Sequence, residues 1–369
     1  SFDIVSFFYS LKYNLKNSRL KILWAKKEKA ISTSNIERSP ILKRTISEYF
    51  IVPDSDVFWS IGSMIRGFII SKKEKPDTIL SSGPSHSSHL VALFLKKVTK
   101  INWVVEFRDP WTMNPFNIPK PFKILTLIDN YLEKIVLSNA DKINVTSTHY
   151  KDQFLKKYNF LSKEKIVCIP NGYDPEDFMD KLSVRNEQFT IVHSGSFYQH
   201  RSSVMFIKAV IYLFTNKLLD KNNFQIKFIG GIDEHGRNLI ENSEFTECFV
   251  FYGQVSHAES INEICNADLL LLIPGPGEGT MPGKFYEYMA ASKPIFCISN
   301  NGPAKDLIIN YNMGKVVKDN NKEEIINELK IFVEEIIEKK FICPDINNLK
   351  EKFNRKNIAF QMANLFNSF

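Results

Sequence analysis

The chain has 369 residues, with 48 Lys and Arg against 41 Asp and Glu, a formal charge of +7. That length suits two domains or one large one, and apolar residues at 44% with charged residues at 24% exclude a disordered or fibrous chain. The mild basic excess favours nucleotides or an acidic membrane surface as partners and is too small to argue for nucleic acid. Cys168, Cys248, Cys265, Cys297 and Cys343 are odd in number, widely spaced and mostly set in apolar segments. This argues against a disulfide framework or a paired-cysteine metal knuckle and fits a reducing cytoplasm. No run of about 18 apolar residues occurs, and the N-terminal region lacks a signal peptide's order of basic, apolar and small residues. The reading is a cytoplasmic chain that does not span a membrane, with peripheral contact at the inner face left open.

In chain order, residues 7–30 mix aromatics with seven Lys or Arg and read as an amphipathic basic helix. Two uses stay open for it, a solvated helix with one buried face or contact with a membrane surface. Asp54-Ser55-Asp56 has the DxD form that can hold a divalent cation, but a helix starting near Val57 makes capping its simpler use. From about residue 77, short β-branched runs alternate with helical stretches, as βαβ units and a parallel sheet require. Strands are predicted at 78–81, 103–107, 142–146 and 166–169. After Asn171-Gly172-Tyr173-Asp174 the alternation restarts, with strands at 190–194, 225–229, 249–252, 269–273 and 294–299. Two doubly wound sheets follow, and the Pro170-Asn171-Gly172 turn with the polar stretch to Gln188 is the best linker. Residues 345–369 end in a helix with Ile358, Met362, Leu365 and Phe369 on one stripe.

Residues 274–291 read as a glycine-rich loop feeding a helix, with Pro282 near the first helical position, where its missing donor costs nothing. Free amides and the positive end of the helix dipole attract a phosphate there. Gly279 and Gly283 permit close approach, and Lys284 adds a mobile charge. Glu287 lies on the same helix face, where its carboxylate could accept from two ribose hydroxyls. The plain alternative is a surface loop and a core helix carrying a Lys/Glu pair. His86, Arg108 and Asp109 fall just after predicted strands, where parallel sheets put their ligands. For Arg108, pairing with Asp109 or Glu106 at the strand end stays open. His89 reads as helix packing, and His149, His193, His200, His235 and His257, without metal-ligand spacing, read as core or surface residues. No GxSxG, GxxxxGK[ST] or HExxH pattern is present, which argues against hydrolase, P-loop and zinc-protease chemistry.

Four motifs give the chain, over residues 45–369, a resemblance to bacterial family 4 retaining glycosyltransferases. The first is Pro53-Asp54 with Trp59, then Pro76-Asp77-Thr78-Ile79 leading to Pro84-Ser85-His86-Ser87-Ser88-His89-Leu90. The second is Trp103-Val104-Val105-Glu106-Phe107-Arg108-Asp109-Pro110-Trp111, similar to the DFRDPW signature of one branch. The third is Ile169-Pro170-Asn171-Gly172-Tyr173-Asp174. The fourth is Phe251-Tyr252-Gly253-Gln254-Val255 with Asn266-Ala267-Asp268 and the stretch from Lys284 to Ala290. The family usually presents two glutamates eight residues apart, the second matching Glu287. Here the first position is Gly279, with Glu278 one place off.

The resemblance implies a GT-B architecture, with two Rossmann-like doubly wound parallel-sheet domains facing a central cleft. An acceptor-binding domain would span 1–174, a nucleotide-sugar domain 175–344, and a C-terminal helix 345–369 that could pack back on the first domain. It implies retaining transfer from a UDP- or GDP-linked sugar to a glycan or lipid-linked acceptor, with no cofactor and no metal. Arg201 resembles the family's basic position before a helix, and with Lys284 would neutralise the leaving diphosphate, a role that Arg suits through bidentate contacts; a plain surface residue is the alternative. Gly195, Ser196, Gly253, Val255, Pro282, Gly283 and Glu287 would complete the donor site. His86 would contact sugar hydroxyls and Asp109 would orient the acceptor. Arg108 replaces a histidine of many relatives and would bind an acidic acceptor phosphate. Two alternatives share the fold: a nucleotide-sugar 2-epimerase, and a degenerate nucleotide-binding subunit suggested by Gly279.

Overall fold

A computed structural model describes residues 51–117, 119–179, 186–197, 201–275, 277 and 279–369. The basic stretch at 7–30, His200 and Glu278 lie outside these residues. The described residues divide into two compact units, one within residues 51–112 and 119–143, the other within residues 113–117 and 144–369.

The first unit contains helix α1 (Val57–Glu74), strand β1 (Thr78–Gly83), helix α2 (Ser87–Thr99), strand β2 (Asn102–Phe107) and helix α3 (Lys123–Asn139). β1 and β2 pair in parallel, with Thr78 opposite Asn102 and Gly83 opposite Phe107. Trp103, Val104, Val105 and Phe107 are fully buried, the near-continuous apolar run expected of a strand covered on both faces. Asp141 ties α2 to β2, accepting from Lys96 Nζ at 2.5 Å and from the Trp103 amide at 2.7 Å. Strand β3 (Lys142–Val145), helix α4 (Thr148–Lys157) and strand β4 (Ile166–Cys168) follow, and the first sheet has the order β1-β2-β3-β4.

The second sheet is built from β5 (Phe189–Ser194), β6 (Phe224–Ile229), β7 (Phe249–Gly253), β8 (Leu269–Leu272), β9 (Ile295–Ile298) and β10 (Gly314–Val317), in the order β10-β9-β8-β5-β6-β7. Its helices are α5 (Val204–Thr215), α6 (Glu234–Glu241), α7 (His257–Asn266), α8 (Gly283–Ala291), α9 (Pro303–Asn310), α10 (Lys322–Ile337), α11 (Asn347–Lys352) and α12 (Arg355–Phe366). The strands send alternate side chains into two cores. Leu269 and Leu271 join Phe206, Leu213 and Phe332 on one face. Leu270 and Leu272 join Ile264, Phe285 and Met289 on the other. Helix α8 buries Phe285, Tyr286, Tyr288, Met289 and Ala290, leaving Lys284 and Glu287 together on its more open face.

All nine predicted strands are present, and β10 is an addition. Two readings need correction. The Asp54 carboxylate does not cap α1, whose N-cap Asp56 makes no side-chain bond. It accepts from Ser85 Oγ at 2.5 Å, Ser87 Oγ at 2.7 Å, the Ser87 amide at 3.0 Å and the Asp56 amide at 3.1 Å. Its main task is therefore the loop that opens α2, whose first amides have no partner within the helix. Burial alone would raise the Asp54 pKa, but these hydrogen bonds hold it below the ordinary value. The C-terminal stripe is also shorter than predicted. Leu365 is buried, but α12 ends at Phe366 and Phe369 is 43% exposed.

Candidate active site

The order of the second sheet reverses between β5 and β8, since β6 and β7 lie on one side and β9 and β10 on the other. Open α/β sheets bind ligands at such a switch point, beyond the carboxyl ends of the two strands. The loops that leave β5 and β8 carry Gly195 and the segment from Pro274 to Gly283.

Gly195 has φ of +116°, and a Cβ placed on it would lie 2.0 Å from Lys284 Nζ. Glycine is needed here because the Lys284 side chain crosses directly over this backbone. Beneath the ammonium lies His193 Nε2 at 3.5 Å. The His193 Nδ1 is 2.9 Å from the Leu271 carbonyl, which can only accept, so Nδ1 carries the proton and Nε2 faces Lys284 as an acceptor. Burial, then the Lys284 and Arg201 charges, push the His193 pKa well below the ordinary value and keep it neutral. Tyr288 completes the floor, its hydroxyl accepting from the Ser194 amide at 2.8 Å and donating to the Leu271 carbonyl at 3.3 Å.

Arg201 enters from the other side. Its Nε donates to the Pro274 carbonyl at 2.9 Å, and its guanidinium lies 5.7 Å from the Phe116 ring centroid. A Cβ on Gly275, where φ is +84°, would collide with the Arg201 side chain at 2.8 Å. Lys284 is consequently in an unfavourable place for a cation. Burial, and then Arg201, lower its pKa to about 7, with Glu287 opposing weakly. Glu287 shares the open face of α8 but forms no ion pair with Lys284. Burial raises its carboxyl pKa, against the pull of His257, Lys284 and Arg355.

The other predicted donor residues are spread along the same sheet edge. Ser196 Oγ accepts from the Gly231 amide at 3.0 Å. Pro282 is the N-cap of α8, one place before the predicted position, and a Cβ on Gly283 would meet nothing. Gly253 ends β7 with φ of +65° and accepts from the Gly230 amide at 2.6 Å. Val255 lines a depression of about 350 Å³ with Tyr252, Ala258, Glu259, Asn262 and Glu263. Gly279 is packed rather than open. A Cβ there would lie 2.2 Å from two carbons of the Tyr150 ring, and its carbonyl accepts from Ser147 Oγ at 2.9 Å.

In the first unit, His86 follows β1, and Arg108 and Asp109 follow β2. The Arg108 amide donates to the Gly83 carbonyl at 3.0 Å and so joins the two loops. The His86 ring lies flat on Trp111, with centroids 5.0 Å apart and planes 1° from parallel. Trp111 is fixed from α3, its Nε1 donating to Asp129 at 3.1 Å. Glu133, also on α3, accepts from the Thr112 amide at 3.1 Å and hydroxyl at 2.5 Å. The tryptophan of the Phe-Arg-Asp-Pro-Trp stretch is thus a platform for His86. Burial drives the His86 pKa down to about 4, against the pull of Asp54 and Glu133.

Sequence reasoning missed His193, and Tyr150 as the group that fills the space at Gly279. His89 matches its reading as packing: it is fully buried. Among the described residues no cluster of three or more His, Cys, Asp or Glu side chains could hold a metal ion, and no helix is long and apolar enough to cross a membrane.

Comparison with known proteins bears on the family. Residues 34–177 match Glycosyltransferase Family 4 and residues 174–342 match Glycosyl transferases group 1. No curated protein matches the sequence. Among solved structures, the fold is similar to a glycosyltransferase from Rickettsia africae, at 16% identity over 95% of this chain and 88% of that one, with a TM-score of 0.61. It is also similar to sucrose-phosphate synthase from Thermosynechococcus elongatus, at 18% identity over 90% and 84%, with a TM-score of 0.64. HepE of Anabaena, solved in complex with UDP-glucose, aligns at 16% identity over 82% and 81%, with a TM-score of 0.59. With two parallel α/β sheets and these two matched regions, the chain is a GT-B glycosyltransferase of family 4 type.

Proposed function

We propose that this enzyme transfers a sugar, with retention of anomeric configuration and without a metal ion, from a UDP- or GDP-linked donor to a glycan or lipid-linked acceptor. The setting would be bacterial surface polysaccharide or glycoconjugate synthesis, and the chain would fall in the branch marked by Phe107-Arg108-Asp109-Pro110-Trp111. One observation carries this reading. Lys284 and Arg201 converge at the switch point, and burial beside Arg201 makes the charged form of Lys284 costly there. A preorganised pair of cations of this kind is repaid by an anion whose charge grows during the reaction. A leaving nucleoside diphosphate is that anion.

In the scheme, the bond between the anomeric carbon and the diphosphate oxygen breaks as the acceptor oxygen bonds to the same carbon on the same face. The acceptor proton passes to the departing phosphate oxygen. Arg201, Lys284 and the amides near Gly195 and Gly283 take up the diphosphate charge. Glu287 accepts from the ribose hydroxyls, and Ser196, Gly253, Val255 and Pro282 line the nucleotide. His86 contacts sugar hydroxyls, Asp109 orients the acceptor and Arg108 binds an acidic group on it.

Replacing Arg201 tests the clamp. Arg201→Ala is expected to lower kcat by about 10²- to 10³-fold, the cost of losing one such contact, with Arg201→Lys recovering part of it. Activity is expected to survive EDTA, and the product anomer is expected to match the donor's. Full turnover by Arg201→Ala would remove the clamp, abolition by EDTA would remove metal independence, and an inverted product would remove retention. Incubation with donor alone separates transfer from epimerisation, which needs no acceptor.

A further inference from the structure

Two buried imidazole nitrogens in the first unit, His86 Nδ1 and His89 Nε2, make no hydrogen bond. They converge on one spot. A Cβ placed on Gly83 would lie 2.8 Å from His86 Nδ1 and 2.6 Å from His89 Nε2, so glycine alone fits between the two rings. The ring centroids are 5.5 Å apart.

The far side of His89 decides where its proton sits. The Trp103 Nε1–H donates to Ser81 Oγ at 2.9 Å, and Ser81 Oγ is 2.9 Å from His89 Nδ1. An indole N–H can only donate, so Ser81 accepts from Trp103 and has its own hydroxyl proton to place. His89 Nδ1 is its partner. If Nδ1 carried a proton instead, both the Ser81 proton and the Nε2 lone pair would be stranded in the interior. His89 is therefore the Nε2–H tautomer and aims that N–H towards His86. His86 Nδ1 becomes the acceptor, reached directly after a small ring rotation or through one water, and the single proton of neutral His86 moves to Nε2. That nitrogen is on the less buried side of the ring, since His86 is half-buried and Nδ1 is its orphaned buried atom.

We propose that His89 is a positioning residue. Through the chain Trp103–Ser81–His89 it fixes His86 as the Nε2–H tautomer, so that His86 offers its substrate a hydrogen-bond donor, not a base. The natural recipient is a hydroxyl oxygen of the sugar. The proposal rests on the reading of His86 as a sugar contact.

Histidine-selective ¹⁵N labelling of the full chain tests it, because the two ring nitrogens of each tautomer have distinct shifts in long-range ¹H–¹⁵N spectra. At pH 7, wild type is expected to show His86 and His89 both protonated at Nε2. Ser81→Ala is expected to mix the tautomers at both histidines. His89→Phe is expected to mix His86 alone, and His89→Gln, which keeps an N–H donor near the old Nε2, to restore it. Sugar-transfer kcat should fall in proportion to the Nε2–H population lost, about twofold where the two tautomers are equally populated, with acceptor KM unchanged. Nδ1-protonated His86 in wild type would overturn the proposal, as would a folded Ser81→Ala protein with unchanged tautomers. If the tautomers shift as stated but His86→Ala keeps full turnover, the relay stands and the sugar-contact reading fails.

Discussion

Lys284→Met will lower turnover by about 10²- to 10³-fold and will make the protein without ligand more stable at pH 6. Both effects have one cause. Lys284 has a pKa of about 7 in the folded protein and about 10.4 in an unfolded chain. Between those values the unfolded chain holds more protons, so the wild type gains stability as pH rises through the window. Below pH 7 the lysine is charged in both states and its burial beside Arg201 carries the full cost. Methionine has a similar length and no charge. The margin in favour of Lys284→Met should be on the order of a few kcal/mol at pH 6 and should shrink steadily towards pH 10. Thermal melts of both proteins across pH, beside initial rates, check this. A methionine variant less stable than wild type at pH 6 would show that Lys284 is a structural ion rather than a strained one.

Gly279→Glu restores in sequence the acid that the family resemblance leads one to expect, and it will not restore any sugar contact. The Cβ would lie 2.2 Å from the Tyr150 ring. That ring is itself fixed, its hydroxyl 3.1 Å from Thr280 Oγ1 and its amide donating to Ser147 Oγ at 3.2 Å. Overpacking of this kind costs about 1–3 kcal/mol or more, so the variant should melt several degrees lower and turn over more slowly. In a double-mutant cycle with Tyr150→Ala, which removes the obstructing ring, Gly279→Glu should cost less stability than it does in the wild-type background. A Gly279→Glu protein with wild-type melting and higher activity would show that the loop accommodates an acid.

The strands were legible because buried parallel strands read as apolar runs whatever their neighbours. β10 was not, since Gly314-Lys315-Val316-Val317 is short, opens on a glycine and buries one residue well, Val317. Helix α8 was legible in its face, where Lys284 and Glu287 stand apart from five buried neighbours. Its chemistry was only half legible. A Lys/Glu pair at that spacing suggests mutual attraction, whereas the structure sets Lys284 against Arg201 and over Gly195, groups more than 80 residues away in sequence. His193 looked like a core histidine for the same reason: its partners, Leu271 and Lys284, come from another strand and another helix. Asp54 shows how a local signal misleads, since the cap that it provides belongs to the next helix, 33 residues on at Ser87. Each of these residues makes its decisive contact with a group distant in sequence, where propensity and spacing carry no information.

The central claim is that Lys284 and Arg201 form a clamp for a diphosphate and that the anion pays back the strain on Lys284. Calorimetric binding of the nucleoside diphosphate, UDP first and GDP if UDP does not bind, tests it at pH 8 in buffers of different ionisation enthalpy. Most Lys284 side chains are neutral in the empty protein at that pH, and an adjacent diphosphate restores the charge. The account predicts uptake of nearly one proton per nucleotide bound by wild type, and weaker binding without uptake by Lys284→Met. Binding of equal strength by both proteins, with no proton taken up by either, would contradict it.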